Sequence, residues 1–295
     1  MAPPGDNTLT SLVARRADLL ARRVAGPELD EVTDQVLERF TASAPSVRRV
    51  DRSETALVEW LVAHEPVHPF AGPRDVDHRF VGDRRCYVLE HPDLPEQPLN
   101  AVFVALVDEI PSNIDDVLDT AAAPVHTDDA TTATLYSIWN ASPGARGLDG
   151  GRMLIDGVVA HLCRELPHLD TFATLSPIPG FRRWASDGGW PEELDADHPA
   201  LVGACAQYLT TVVDGRPLDA VAGFHLGNGA RLLDLHRHAD ASERGERRSW
   251  GVMANYRYLP EDRAANRAAL TEGQPAVGAT VAELLGSALI TPTAR

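Results

Sequence analysis

Apolar residues recur at helical spacing along the first 65 positions. Leu9, Leu12, Val13, Leu19 and Leu20 predict a helix within residues 8–24. Pro27 stands near the start of a second helix, which carries Leu29, Val32, Val36 and Leu37 on one face. Ser53 to His64 predicts a third, with Ser53 as N-cap and Ala56, Leu57, Trp60 and Leu61 as its apolar set. These helices are expected to pack or to oligomerise. After Pro69 the period shortens. Arg85–Glu90 and Leu99–Val107 are short β-rich runs separated by HPDLPEQP, so a hairpin is expected. Ser112 can cap a short helix through Leu118, and Thr132–Trp139 predicts another strand. A glycine-rich stretch, ASPGARGLDGG, leads into a helix from about Arg152 to Leu166. Phe172–Leu175 is a short strand ending in Ser176-Pro177-Ile178-Pro179-Gly180. Residues 181–215 read as helical and irregular, and Asp219–Leu226 as a short helix. Arg231–His236 and Val252–Leu259 are the last two predicted strands. No internal repeat is visible.

The order is therefore helices first, then β–β–α–β–(Gly loop)–α–β–α–β–β. That makes the chain α/β (α+β), a mixed sheet flanked by helices. Two parts are expected, a short helical region at 1–65 and a larger domain at 66–295. A strand, a glycine-rich loop and a helix in the middle of such a sheet can bind a pyrophosphate. The loop exposes backbone N–H groups, and the helix N-terminus adds partial positive charge. The same pattern also serves as an ordinary turn.

Composition removes several chemistries. The chain has 295 residues, of which 44% are hydrophobic, enough for a substantial core. All 27 of its Lys+Arg residues are arginine, against 43 acids, for a net charge of -16. With no lysine there is no Schiff base, no PLP linkage, no lysine general base and no Walker loop. The acidic balance argues against nucleic-acid binding. No apolar run approaches the roughly 18 residues of a membrane span, so no membrane partner is expected. The start, MAPPGDNTLT, lacks the basic and apolar parts of a secretory leader. Cys86, Cys163 and Cys205 are far apart, which favours a reducing cytoplasm. Any ligand phosphate must be held by arginine, backbone N–H groups or a helix N-terminus.

The loop reads Arg146-Gly147-Leu148-Asp149-Gly150-Gly151 and is followed by Arg152. It is similar to the Q/R-x-x-G-x-G/A pyrophosphate loop of the GNAT acyltransferase fold, with Asp149 replacing the first glycine. TLSPIPGF around Ser176 is more specific. So are FHLGNGARL, from Phe224 to Leu232, and the run from Ala239 to Tyr258 that ends in MANYRY. Together they resemble the malonyl-CoA decarboxylase family. HEPVHP (64–69), RRCY (84–87), PSNI (111–114) and LYSI (135–138) fit the same family, and the resemblance runs from about residue 64 to 260.

The resemblance implies a GNAT (N-acetyltransferase)-like catalytic domain over 66–295 and the conversion of malonyl-CoA to acetyl-CoA and CO2. It places the family's catalytic serine on Ser176 and its histidine on His225. The malonyl-CoA loop falls on Arg146, Gly147, Leu148, Asp149, Gly150, Gly151 and Arg152. Some members carry an acid where Asp149 stands. Known members have a larger N-terminal helical domain, whereas about 65 residues precede the catalytic region here. The stretch between Ser176 and His225 is also short.

The chemistry gives these residues roles. Loss of CO2 from a malonyl thioester leaves an enolate. An enzyme must turn the carboxylate out of the thioester plane, stabilise charge on the thioester oxygen and protonate the carbon. The thioester carbonyl is the electron sink, so no metal, PLP or biotin is expected. Ser176 can hold the carboxylate or a water. His225, with a pKa near neutrality, can donate a proton to the enolate. Taken singly, Ser176 would serve as a helix N-cap and His225 as a core or capping histidine. The surrounding motifs assign them otherwise. Asn228 and Gly229 suit a turn between helix and strand. Asn255 and Tyr256 point to opposite sides of the last strand, and Tyr256 is expected to pack in the core.

Asp234, His236, His238 and Asp240 alternate, so on a regular strand they would share one face and could hold a metal. A solvated polar face is the expectation, and the resemblance implies no metal there. One or more of Arg152, Arg244, Arg247 and Arg248 is expected to contact CoA phosphates. The expected partners are malonyl-CoA and acetyl-CoA, with an acyl carrier protein as an alternative donor and a homo-oligomer formed through the N-terminal helices. The runner-up activity is a decarboxylative acyltransferase acting on malonyl- or methylmalonyl-CoA or a malonylated carrier protein.

Overall fold

The computed structural model describes residues 8–95, 97–188 and 194–287. The MAPPGDN start, on which the absence of a secretory leader was read, lies outside these residues, as do residues 189–193 of the irregular stretch. The chain opens with α1 (Leu9–Ala21), α2 (Pro27–Ala42), β1 (Ser46–Arg49), α3 (Thr55–His64) and α4 (Pro73–Phe80). Then come β2 (Arg84–Glu90), β3 (Asn100–Val107), α5 (Asp115–Leu118), β4 (Thr132–Asn140), α6 (Gly150–Glu165) and β5 (Thr171–Pro177). They are followed by α7 (Phe181–Asp187), α8 (Leu201–Thr210), β6 (Val212–Val213), β7 (Arg216–Pro217), α9 (Ala220–Gly227) and β8 (Arg231–His236). The chain continues with α10 (Glu243–Ser249), β9 (Met253–Tyr258), α11 (Arg263–Thr271) and α12 (Ala279–Ser287).

Among the described residues, seven strands form one sheet in the order β1-β2-β3-β4-β5-β9-β8. The sheet is mixed: β4 and β5 are parallel, while β1/β2, β5/β9 and β8/β9 are antiparallel. The predicted strands and helices recur, but the structure adds α4, the short β6 and β7, α11 and α12, and α10 lies between the last two predicted strands. The helical opening also contains β1, a strand too short for its alternation to stand out. Ser53 does not cap α3, because its hydroxyl and N–H both turn to the Asp51 carboxylate, at 2.6 and 2.8 Å. Ser112 likewise does not cap α5. The side chain of Asn113 takes the Asp115 N–H instead, at 2.9 Å.

The fold divides into two compact units, Met1–Val104 with Ser137–Pro167, and Ala105–Tyr136 with His168–Arg295. In the first, β2 is buried along almost its whole length, Arg84 and Arg85 included, although only Cys86 to Leu89 form an apolar run. Helix α6 lies close over β1, and a Cβ on Gly157 would stand 2.4 Å from Val47 Cγ2. The HEPVHP motif forms a turn closed on itself. The Glu65 carboxylate accepts the N–H groups of Val67 and His68, at 2.8 and 2.6 Å. His68 Nδ1 lies 2.8 Å from Ser137 Oγ on β4. Arg79 anchors the turn from α4. Its Nη1 donates to the His68 carbonyl at 2.7 Å, while Nε and Nη2 form a buried two-point ion pair with Asp75.

In the second unit, pairing between β4 and β5 ends at Leu135↔Thr174. Strand β5 continues past that point, paired with β9 through Ser176↔Ala254 and Pro177↔Met253. Pro177 and Pro179 lack an N–H to extend the ladder, so the chain turns away there into α7.

Candidate active site

Strand register assembles most of the site. Directly opposed residues of an antiparallel pair share a face, and alternate residues of one strand share it too. Thr174 faces Tyr256 and Phe172 faces Tyr258, so Thr174, Ser176, Tyr256 and Tyr258 fall on one side of the β5/β9 ribbon. Helix α9 lays His225 against that side. The imidazole stacks on the Tyr256 ring with centroids 4.5 Å apart and meets the Tyr258 ring edgewise.

The hydrogen bonds run in a line. Tyr258 Oη lies 2.8 Å from His225 Nδ1, and His225 Nε2 lies 3.0 Å from Ser176 Oγ. Ser176 Oγ donates to Thr174 Oγ1 at 2.9 Å. With that proton committed to Thr174, Ser176 accepts from Nε2–H, and Nδ1 is left to accept the Tyr258 hydroxyl. This line fixes one tautomer of a neutral ring. Ser176 is buried and lies inside β5, so it is not a helix cap.

Burial pushes the His225 pKa down to about 3. The near-neutral value expected from the sequence is therefore corrected. The imidazole is buried, and among the described residues no carboxylate faces it to hold a proton on it. A proton has to come with something negative.

One buried carboxylate sets the position of α9. Asp219 caps the helix, accepting the N–H groups of Val221 and Ala222 at 2.8 and 2.9 Å. It also accepts the Gly180 N–H of the SPIPG turn and the Tyr208 hydroxyl, the latter at 3.2 Å. The segment after Ser176 and the helix bearing His225 are thus tied to one side chain. Gly180 has no room for a side chain, since a Cβ there would stand 2.2 Å from Tyr208 Oη. The far end of α9 stops as expected. Asn228 is its C-cap, and Gly229 turns the chain at φ 85, where a Cβ would meet the Arg263 carbonyl at 2.6 Å.

The loop at 146–152 belongs to the first unit. Gly147 (φ 86) and Asp149 (φ 57) both take left-handed backbone, and α6 begins at Gly150, two residues before the predicted start. Gly150 lies so close to Asn100 that a Cβ would stand 2.3 Å from its Oδ1. The Asp149 carboxylate does not cap the helix. It pairs with Arg152 at 2.7 Å on the exposed side, which neutralises the acid that departs from the general GNAT pattern. Leu148 is buried beneath the loop.

Several sequence candidates separate in space. Strand β8 ends at His236, and His238 takes left-handed backbone at φ 50 in the turn beyond it, so Asp234, His236, His238 and Asp240 do not share one strand face. His236 turns to Asn255 and His238 to Asp197, while Asp240 accepts the Ser242 N–H. Among the described residues no group of three or more His, Cys, Asp or Glu side chains is placed to hold a metal ion. Arg244, Arg247 and Arg248 lie on α10, where Arg247 pairs with Glu243 at 2.9 Å. Sequence reasoning missed Thr174, Tyr258 and Asp219. The i, i+2 spacing of Thr174 with Ser176, and of Tyr256 with Tyr258, was the available signal. The β5/β9 register that makes it useful is visible only in the fold.

A mixed sheet carrying this loop and this Ser–His pair defines a GNAT-like protein. The loading GNATL domain of CurA from Lyngbya majuscula shares the fold, with a TM-score of 0.50 at 13% identity over 73% of this chain and 97% of that one. The family model for the malonyl-CoA decarboxylase C-terminal domain matches residues 46–193 and 187–292, and the chain belongs to the malonyl-CoA decarboxylase family. Mitochondrial malonyl-CoA decarboxylase of Anser anser anser is 32% identical over 88% of this chain. The chain spans 63% of that relative's length. The crystal structure of malonyl-CoA decarboxylase from Agrobacterium vitis matches with a TM-score of 0.83 and 36% identity, over 94% of this chain and 76% of that one.

Proposed function

We propose that the protein decarboxylates malonyl-CoA to acetyl-CoA and CO2. The observation that carries this reading is the buried Ser176–His225 contact of 3.0 Å, made by the two motifs most specific to the family. The malonyl carboxylate is an anion entering a site with a neutral imidazole. An anion beside a buried histidine raises its pKa, so His225 takes up a proton together with the substrate. The bond between Cα and the carboxylate carbon breaks, and its electron pair moves into the thioester carbonyl. CO2 leaves, and the enolate carbon takes the proton from His225 through the Ser176 hydroxyl. Across the cycle one solution proton is consumed. Ser176 regains its proton, and His225 regains its neutral charge as the Nδ1–H tautomer, whose Nδ1 proton must move off before the resting Nε2–H form returns. Tyr258 serves both states of the ring, donating to neutral Nδ1 and accepting from Nδ1–H once the ring is charged.

In this reading residues 146–152 hold the CoA pyrophosphate with backbone N–H groups and the N-terminus of α6. Arg152 and the arginines of α10 are the candidate phosphate contacts. No metal, PLP or biotin enters the scheme, because the thioester carbonyl accepts the electrons. The region at 66–295 is the catalytic part, and the helices of 1–65 are the surface proposed for self-association. The described residues hold no helix long and apolar enough to cross a membrane. Cys86, Cys163 and Cys205 are all free thiols, which supports a reducing compartment, the cytoplasm.

The test is mass spectrometry of malonyl-CoA incubated with the protein, read for acetyl-CoA and CO2. Ser176→Ala and His225→Ala should each lower the rate by about 100-fold or more. Full activity in both variants would reject these roles. A malonylated carrier protein in the same assay, with acceptors present, reads the alternative donor.

A further inference from the structure

Arg16, in the N-terminal helix α1, is buried and has no ion pair among the described residues. Its donors go to neutral oxygens. Nη1 donates to the carbonyls of Gly144 and Arg146, both at 2.8 Å, and Nε donates to Thr33 Oγ1 on α2 at 2.9 Å. Helix α1 approaches the same turn with its backbone, since a Cβ on Gly144 would stand 2.0 Å from the Val13 carbonyl oxygen. The Gly147 Cα carries its hydrogens toward the guanidinium, where a Cβ would lie 4.0 Å from Arg16 Nη2.

Two features of this corner call for an anion. A buried cation without a carboxylate costs stability, and a nearby negative charge recovers it. In addition, the N–H groups of Gly150, Gly151 and Arg152 at the start of the 16-residue α6 find no protein acceptor among the described residues. Arg16 engages the Gly144 and Arg146 carbonyls, so those two negative ends are held by its guanidinium on the stretch that leads into these open donors.

We infer that Arg16 is part of the pyrophosphate site: it fixes the backbone of the 146–152 loop and supplies a buried positive charge behind it, which makes α1 a component of CoA recognition. The inference rests on the reading of this loop as the CoA loop. It gives the N-terminal helical segment a function beyond packing or assembly. Arg16 acts through the loop and is a positioning residue, and its effect is confined to the diphosphate end of the substrate.

Steady-state kinetics with two substrates tests it. Malonyl-CoA carries the diphosphate and malonyl-pantetheine does not. Arg16→Gln should lower kcat/KM for malonyl-CoA about tenfold, mainly through KM, and leave malonyl-pantetheine within about twofold. Arg16→Lys keeps the cation but loses the two-carbonyl fork, and should fall between wild type and Arg16→Gln. It also serves where Arg16→Gln does not fold. Equal losses on both substrates would show that Arg16 only supports the fold, and no loss on either would overturn the inference outright. Calorimetric titration with CoA itself reads the same difference without turnover. Weaker binding to the Arg16 variants supports the inference, whereas equal affinity, or no binding to any of the proteins, rejects it. If wild type turns over neither substrate yet binds CoA through Arg16, the proposed activity fails and the inference stands.

Discussion

Tyr258 Oη and Ser176 Oγ sit at opposite ends of the His225 imidazole, 2.8 Å from Nδ1 and 3.0 Å from Nε2. The tyrosine is therefore placed to decide which nitrogen faces the serine with a proton. Tyr258→Phe keeps the ring against His225 and removes only the hydroxyl. The expected result is a fall in kcat of about ten- to a hundredfold with KM little changed. Stability should drop by about 1 kcal/mol, the net worth of one hydrogen bond. Kinetics and thermal denaturation of the same preparation separate the two effects. A fall in KM alone would remove Tyr258 from the proposed chemistry.

Proton uptake with the substrate is a direct consequence of the buried ring. The His225 pKa of about 3 keeps the imidazole of the free protein neutral across the physiological range. A malonyl-CoA analogue whose carboxylate cannot leave should then bind with uptake of close to one proton near neutral pH. Calorimetry in buffers of different ionisation enthalpy measures this number. His225→Gln should bring it close to zero. Uptake that survives in the variant would move the proton to another group.

The same shift predicts how stability responds to acid. The folded pKa, about 3, is below the unfolded value of about 6.5, so between the two the unfolded chain binds the extra proton. The contribution of neutral His225 is complete above about pH 6.5 and is lost as pH falls toward 3, at roughly 1.4 kcal/mol per unit. Glu65 and Asp219 act in the opposite direction, since burial raises both carboxyl pKa values and favours the protonated folded form. Urea denaturation of wild type and His225→Gln from about pH 7 to 5 isolates the histidine term. The wild-type midpoint should fall more steeply, and parallel profiles would contradict a buried neutral ring.

The sequence made some of this visible and hid the rest for identifiable reasons. Ser176 and His225 are legible only through the family resemblance carried by TLSPIPGF and FHLGNGARL, since taken singly they read as a helix cap and a core histidine. Gly229 and the Asn228 cap follow from local rules. Strand β1 escapes because four half-exposed residues, Ser46 to Arg49, carry no alternation. Tyr258 escapes because its role depends on the antiparallel register that sets Tyr258 against Phe172 and Ala254 against Ser176. Arg16 escapes for a stronger version of the same reason. Its carbonyl partners lie 128 and 130 residues away, and an arginine on an amphipathic helix ordinarily reads as solvated. The apparent metal constellation failed because β8 ends at His236 and the chain turns at His238, a strand end that a period-two pattern cannot foresee.

Asp219 provides the last test, because its carboxylate joins the segments that bear Ser176 and His225. Its carboxylate receives two N–H groups from α9, one from Gly180 and the Tyr208 hydroxyl. Asp219→Ala leaves these donors buried and unpaired, and should cost about 1–3 kcal/mol of stability. Asp219→Asn keeps one acceptor oxygen at the helix start and should restore much of the loss. If the side chain holds His225 at reach of Ser176, both variants also lower kcat while KM for malonyl-CoA holds, and the asparagine variant recovers part of the rate. A purely structural cap would lower the melting temperature and leave kcat unchanged at temperatures where the variant is folded. Gly180→Ala probes the same junction from the other side. Its methyl group would press on Tyr208 Oη, 2.2 Å away if nothing moved, and force the SPIPG turn and α8 apart, loosening the Tyr208–Asp219 contact. A normal rate in folded Gly180→Ala and Asp219→Ala would show that the Ser176–His225 distance is set elsewhere.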